Sequence, residues 1–106
     1  MAGQNVVNGL VTLAQWHELA TLDPAKTAIL DVRNPEECQA GVIPGSIQIP
    51  LGQLRQRVNE LPKHRELIVH CASGQRSYFA CRFLSQRGYL VRNLTGSYRT
   101  WKTAAV

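Results

Sequence analysis

No stretch of the chain approaches the roughly 20 consecutive apolar residues that a membrane-spanning helix needs, and no basic segment followed by an apolar run opens the sequence. The expectation is a soluble chain kept in the cytoplasm. Cysteine is scarce: Cys38, Cys71 and Cys81 make an odd number, with no C-x-x-C pair and no His/Cys cluster at zinc-ligand spacing. A disulfide framework and a structural zinc are therefore not expected. His17, His64 and His70 are scattered, so no metal site is assigned to them. Internal repeats and low-complexity runs are also missing. The basic excess, +5 with a pI near 9.6, is not organised for nucleic acid. Arg55, Arg57, Lys63 and Arg65 lie among Gln, Asn, Glu and Pro, without the interleaved aromatics that stack on bases. The excess leaves an acidic partner or a small anionic substrate open and decides little by itself; a solvated basic face is the expectation.

What remains is an ordinary globular composition, 44% hydrophobic and 18% charged, in 106 residues. That length holds one core and is too short for two. Thr12 and Gln15 stand at capping-box spacing, which predicts a first helix over Ala14 to Ala20, ending near Asp23-Pro24. Leu10-Val11 reads as a short strand before it. Thr27 to Val32 is an apolar, partly β-branched run, a buried strand, followed by a short helix after Pro35. Gly41 to Ser46 reads as a loop and Ile47 to Ile49 as a brief strand. Leu51, Leu54, Val58 and Leu61 recur at helical steps, and Glu66 to His70 is the next strand. Tyr78 to Arg87 reads as a helix closed by Gly88, Leu90 to Leu94 as the last strand, and Ser97 to Ala104 as a terminal helix. Strands alternating with helices argue for a mostly parallel α/β sheet covered on both faces, with ligands outside the carboxyl ends of its strands.

Cys71 stands at such an end, in His70-Cys71-Ala72-Ser73-Gly74-Gln75-Arg76-Ser77, between a strand and a helix. Small residues and a glycine let successive backbone N–H groups turn inward, and the following helix points its positive end at the same place. A free cysteine titrates at about 8.5, and such surroundings lower it to roughly 3.5–7.5. A value below neutrality is expected for Cys71. Arg76 adds a planar donor fork. Cys81 falls among core-like positions in a helix, and Cys38 lies in a polar stretch; neither is given a role.

These residues resemble the rhodanese (sulfurtransferase) family over roughly residues 10 to 102. The landmarks come in order: Asp31-Val32-Arg33 with Glu36-Glu37, Gly41 to Ile47, Cys71 to Ser77, and Leu94-Thr95-Gly96-Ser97 with Trp101. The resemblance implies a rhodanese-like fold, a five-stranded parallel sheet with helices on both faces, and a persulfide carried by Cys71. In the related phosphatases and arsenate reductases the cysteine and arginine stand one residue further apart. Here Ala72 to Gln75 separate them and Ser77 stands where a phosphatase arginine would be, so the shorter loop suits a sulfur atom. Val42, Cys38 and Ser97 depart from the family's usual histidine, aromatic and second glycine. A further resemblance is to the rhodanese domain at the C-terminus of flavin-dependent coenzyme A-disulfide reductases, carried by the Cys71 to Ser77 loop and by residues 1–9. It implies that residues 1–9 are a linker or tail of a preceding domain and 10–106 the rhodanese domain, with no flavin or nicotinamide site of its own and no other cofactor.

The chemistry expected is double displacement: Cys71 takes a sulfane sulfur from a small anionic donor, thiosulfate or a low-molecular-weight persulfide, and passes it to a thiol acceptor. Ala72, Ser73, Gly74, Gln75, Arg76 and Ser77 form the binding loop, with Asp31 and Arg33 as a supporting ion pair. A non-catalytic or relay module docking a flavoenzyme is the alternative class, and a phosphatase or arsenate reductase the less favoured one.

Overall fold

In a computed structural model the chain is described over residues 6–7 and 10–105. Most of residues 1–9, expected to be a linker or tail, lie outside the described residues. The elements in chain order are β1 (Val6–Val7), β2 (Leu10–Val11), β3 (Leu13–Ala14), a 3-10 helix (Trp16–Thr21), β4 (Thr27–Asp31), α1 (Pro35–Cys38), β5 (Ile47–Gln48), a 3-10 turn (Leu51–Gln53), α2 (Leu54–Arg57), a second such turn (Val58–Glu60), β6 (Glu66–His70), α3 (Gln75–Gln86), β7 (Val91–Leu94) and α4 (Ser97–Ala105). Five strands form one parallel sheet in the order β3-β7-β6-β4-β5.

Alternation along the central strands divides the interior into two layers. Leu30 and Val32, with Leu67, Val69 and Cys71, face α3 and the segment from Leu54 to Leu61. Ile29 and Ile68 face the other way, onto Leu19, Leu22, Tyr98 and Trp101 from the first 3-10 helix and α4. Asp31 and His70 continue this second parity, so neighbouring residues His70 and Cys71 enter opposite layers.

The structure differs from expectation in its edges. Leu10–Val11 pairs antiparallel with Val6–Val7, outside the main sheet. The fifth strand is Leu13–Ala14, where a helix was expected; Asn93 and Thr95 donate their N–H groups to the carbonyls of Thr12 and Ala14. Ala14 is fully buried, which a parallel strand achieves with a small side chain. The helix therefore starts later, with Gln15 as its cap, whose N–H donates to the Glu18 carboxylate at 2.7 Å. The segment 51–60 is a short α-helix between two 3-10 turns, although Leu54, Val58 and Leu61 are buried as their spacing implied. Finally, α3 begins at Gln75, three residues before Tyr78.

Candidate active site

The turn from β6 into α3 puts Cys71 at the sheet's C-terminal end with its sulfur under the first turn of the helix. Gly74 makes the turn by adopting φ +118°, a region that side chains resist. Its N–H then points back at Cys71 Sγ at 3.1 Å. Ser77, in the first turn of α3, lies with its hydroxyl 3.5 Å from the sulfur. The floor is tied from the last strand and helix. Ser97 Oγ accepts the Cys71 N–H at 3.1 Å, and the Tyr98 and Arg99 N–H groups donate to the carbonyls of Cys71 and Ala72 at 3.0 Å each.

Cys71 is 1% exposed, so burial resists its ionisation. The Ser77 hydroxyl and the N–H groups of Ser77, Gly74 and Ser73 outweigh that cost and bring the thiol from 9.0 down to about 7. The direction is the one expected for this loop. Both ends of the Arg76 fork are taken by Glu37 of α1, at 2.7 and 2.8 Å, and its charge still interacts with Cys71. Arg76 holds the Glu37 carboxyl down to about 2, and the pair clasps α1 against the loop. Glu37 is one of the sequence landmarks, and an acidic residue ahead of a reactive loop that ends in arginine is the signal for this pairing. Burial pushes the Cys81 thiol up to about 12, with the Cys71 charge adding to it.

Asp31 and Arg33 form a buried ion pair. Arg33 Nη2 donates to Asp31 Oδ2 at 2.8 Å and to the Gly41 carbonyl at 2.8 Å, and its guanidinium lies 3.9 Å from the Tyr98 ring centre. Burial opposes the Asp31 charge, yet the Arg33 fork keeps its carboxyl below the ordinary value. His70 is fully buried, and burial lowers its affinity for a proton, so its 3.7 Å approach to Asp31 is not an ion pair at neutral pH. Its Nδ1–H donates to the Cys71 carbonyl at 3.1 Å, and its ring stacks on Tyr98. Cys38 is half-buried with Sγ 3.6 Å from Asp31 Oδ2; burial, then the Asp31 charge, push that thiol up.

The structure thus brings Cys71, Gly74, Ser77 and the backbone of Ser73 together, leaves Ser73 and Gln75 side chains at the exposed mouth, and sets Asp31 and Arg33 on the other layer. Asn93 and Ser97 are the polar residues that sequence reasoning missed. Asn93 Oδ1 is 2.6 Å from Ser77 Oγ. Ser97 adopts φ +53°, a left-handed conformation rare outside glycine, and spends its hydroxyl on the Cys71 N–H. A cleft of about 350 Å³ opens beside α1, lined by Arg33, Pro35, Cys38, Val42, Gln48 and Pro50 among others. It excludes the Cys71 loop, and the chemistry follows the loop, where the donors converge. Among the described residues no helix is long and apolar enough to cross a membrane, and no group of three His, Cys, Asp or Glu is placed to hold a metal ion.

A family model described as a rhodanese-like domain matches residues 14–104. The chain is similar to a sulfurtransferase of Allochromatium vinosum, 40% identical over 80 residues that cover 74% of this chain and 75% of that protein. Among solved structures it is similar to the reduced CoADR-RHD of Bacillus anthracis, with a TM-score of 0.84 and 39% identity over 94% of this chain. It is also similar to a NAD-dependent persulfide reductase from A. fulgidus, with a TM-score of 0.70 and 34% identity over 89% of this chain. The chain spans 18% and 16% of those two longer chains.

Proposed function

Because the chain belongs to the rhodanese-like domain family, we propose that it is a sulfurtransferase in which Cys71 carries the sulfur in transit. The observation that carries this reading is the Cys71 sulfur held 3.1 Å from the Gly74 N–H, beneath the first turn of α3, with its thiol brought down to about 7. At neutral pH a large share of it is thiolate, so no separate general base is required. With thiosulfate, the thiolate attacks the sulfane sulfur, a new S–S bond forms, the old S–S bond breaks and sulfite leaves with its electron pair. With a persulfide R–S–SH, the same attack expels R–S⁻. The charge then sits on the outer sulfur of Cys71, within reach of the loop N–H groups, until an acceptor thiolate attacks that atom and restores Cys71. Arg76 is bound to Glu37, so its contribution is to hold the loop and supply positive potential rather than to grip the donor.

The similarity to CoADR-RHD and to the persulfide reductase favours a second element of the reading. Residues 10–106 act as a sulfur-transfer domain in the cytoplasm, fused to or docking a flavin-dependent disulfide reductase, with residues 1–9 as the connecting tail. A bulky persulfide donor follows, and the small side chains of Ala72, Ser73 and Gly74 leave room for a pantetheine arm. Higher kcat/KM is expected with coenzyme A persulfide or glutathione persulfide than with thiosulfate, measured with one common acceptor thiol. A preference for thiosulfate of about tenfold, about 1.4 kcal/mol in the transition state, refutes the bulky donor and leaves Cys71 transfer standing.

Intact-mass measurement tests the reaction itself. Freshly reduced protein exposed to these donors gains one sulfur, about 32 Da, removable by a thiol reductant. Cys71→Ser gains none, whereas Cys38→Ser and Cys81→Ser behave as the parent. An unchanged mass with every donor overturns the enzymatic reading in favour of a binding module.

A further inference from the structure

Around the reactive sulfur runs a closed ring of four hydrogen bonds, and one of its links faces the wrong way for a thiolate. The Cys71 thiol donates to Ser77 Oγ at 3.5 Å, Ser77 lies 2.6 Å from Asn93 Oδ1, Asn93 Nδ2 donates to the Gly74 carbonyl at 3.2 Å, and the Gly74 N–H donates to Cys71 Sγ at 3.1 Å. The Gly74 carbonyl can only accept, so the Asn93 amide nitrogen must face it and the amide oxygen must face Ser77. That oxygen carries no proton. The 2.6 Å contact is therefore made with the single proton of the Ser77 hydroxyl.

A thiolate needs the same proton. Once Cys71 ionises it no longer donates to Ser77, and stabilising its charge requires the Ser77 O–H to turn from Asn93 to the sulfur. Turning leaves Asn93 Oδ1 without that donor at a site only 8% exposed, where an unmade hydrogen bond is costly. Ser97 Oγ accepts the Cys71 N–H with a lone pair and keeps its own proton, but it lies 4.0 Å from the sulfur, with Ser77 Oγ at 3.4 Å and the Leu94 carbonyl at 3.5 Å both nearer.

We propose that Asn93 is a positioning residue that holds the Ser77 hydroxyl proton away from Cys71 until negative charge resides on Sγ, making Ser77 a two-position donor reset in each sulfur-transfer cycle. The first position serves the thiol. The second serves the thiolate, before sulfur arrives. When charge moves to the outer sulfur of the persulfide, Sγ is neutral again and the proton returns to Asn93. Only this last step rests on the sulfurtransferase reading; the coupling between Asn93, Ser77 and the Cys71 thiolate does not.

The charged and titratable groups around the sulfur are Arg76 and Cys81 on α3 and His70 on its own strand, with Glu37 of α1 acting through Arg76. Tyr98 and Arg99 of α4 meet the segment through their backbone N–H groups. None of these changes when residues 77 and 93 are substituted.

The test is the rate of Cys71 alkylation by iodoacetamide against pH, in the full chain with Cys38 and Cys81 replaced by serine. Asn93→Leu removes the shorter of the two contacts that compete for this proton, the other being the Gly74 carbonyl at 3.1 Å, so the midpoint moves down by about half a unit, roughly threefold more thiolate at pH 6. Asn93→Ala gives the same sign if the larger side chain prevents folding. Ser77→Ala moves the midpoint up. The double variant Asn93→Leu with Ser77→Ala keeps the midpoint of Ser77→Ala, because no proton remains to be directed. A merely structural Asn93 gives the opposite sign, since a loosened loop donates less well to the thiolate. An upward or absent shift in the Asn93 variants, or an equal Asn93 effect with and without Ser77, overturns the proposal. Alkylation involves no sulfur donor, so this outcome is separate from any failure of sulfur transfer.

Discussion

Two buried anions lie at the same end of the sheet, on opposite faces, and are held in different ways. Asp31 faces a guanidinium that neutralises it through three contacts of 2.8 to 3.1 Å. Cys71 is met chiefly by neutral donors, two hydroxyls and the N–H groups of a turn, while Arg76, itself bound to Glu37, adds a lesser interaction. The difference separates a fixed charge from a usable one. A full counter-ion makes an anion permanent and stiff, fit to hold α1, β4 and the Gly41 carbonyl in register. Backbone dipoles stabilise charge without being consumed by it, so the sulfur can attack, become neutral, and ionise again without an ion pair to break and remake.

Breaking the first arrangement has the largest expected effect on the fold. Arg33→Met leaves Asp31 buried without its partner and removes the contact with Tyr98, which costs about 3–5 kcal/mol in urea unfolding. A loss below about 1 kcal/mol would mean that the pair contributes no more than one on the surface.

The second arrangement is far more tolerant. Cys71→Ser keeps the shape of the site and changes stability by about 1 kcal/mol or less at pH 6. At higher pH the wild type gains on it. The loop brings the folded thiol down to about 7, below the free-cysteine value of about 8.5, so the thiolate adds stability that is absent below the lower value, grows between the two and is complete above the upper. Urea melts of the two proteins from pH 6 to 9 check this sign, and a gap that narrows with pH contradicts it.

The smallest effect belongs to the clasp. Glu37→Gln leaves Arg76 an uncompensated cation near the sulfur, and the Cys71 alkylation midpoint moves down by about half a unit or less, since solvent screens a partly exposed charge. An upward shift would show that the clasp shapes the loop more than its charge matters.

Much of this was legible in the sequence because it depends on local pattern. The apolar runs Thr27 to Val32 and Glu66 to His70 mark the buried central strands, and the strand end followed by small residues, Gly74 and Arg76 marks the reactive turn. What the sequence hid depends on long-range pairing. Leu13–Ala14 has no strand pattern of its own and is a strand because the N–H groups of Asn93 and Thr95 reach the carbonyls of Thr12 and Ala14. Glu37 and Arg76 are 39 residues apart, and only the docking of α1 on the loop brings them together. Asn93 and Ser97 reach the sulfur from another strand and another helix, so nothing in the Cys71 segment announces them.

The account turns on neutral donors ionising Cys71, and the direct measurement is its alkylation rate by iodoacetamide from pH 5 to 10 in Cys38→Ser/Cys81→Ser protein. The predicted result is a single titration with its midpoint at about 7. A midpoint at the free-cysteine value of about 8.5 would contradict it, because the loop would then hold no charge that solvent does not hold as well.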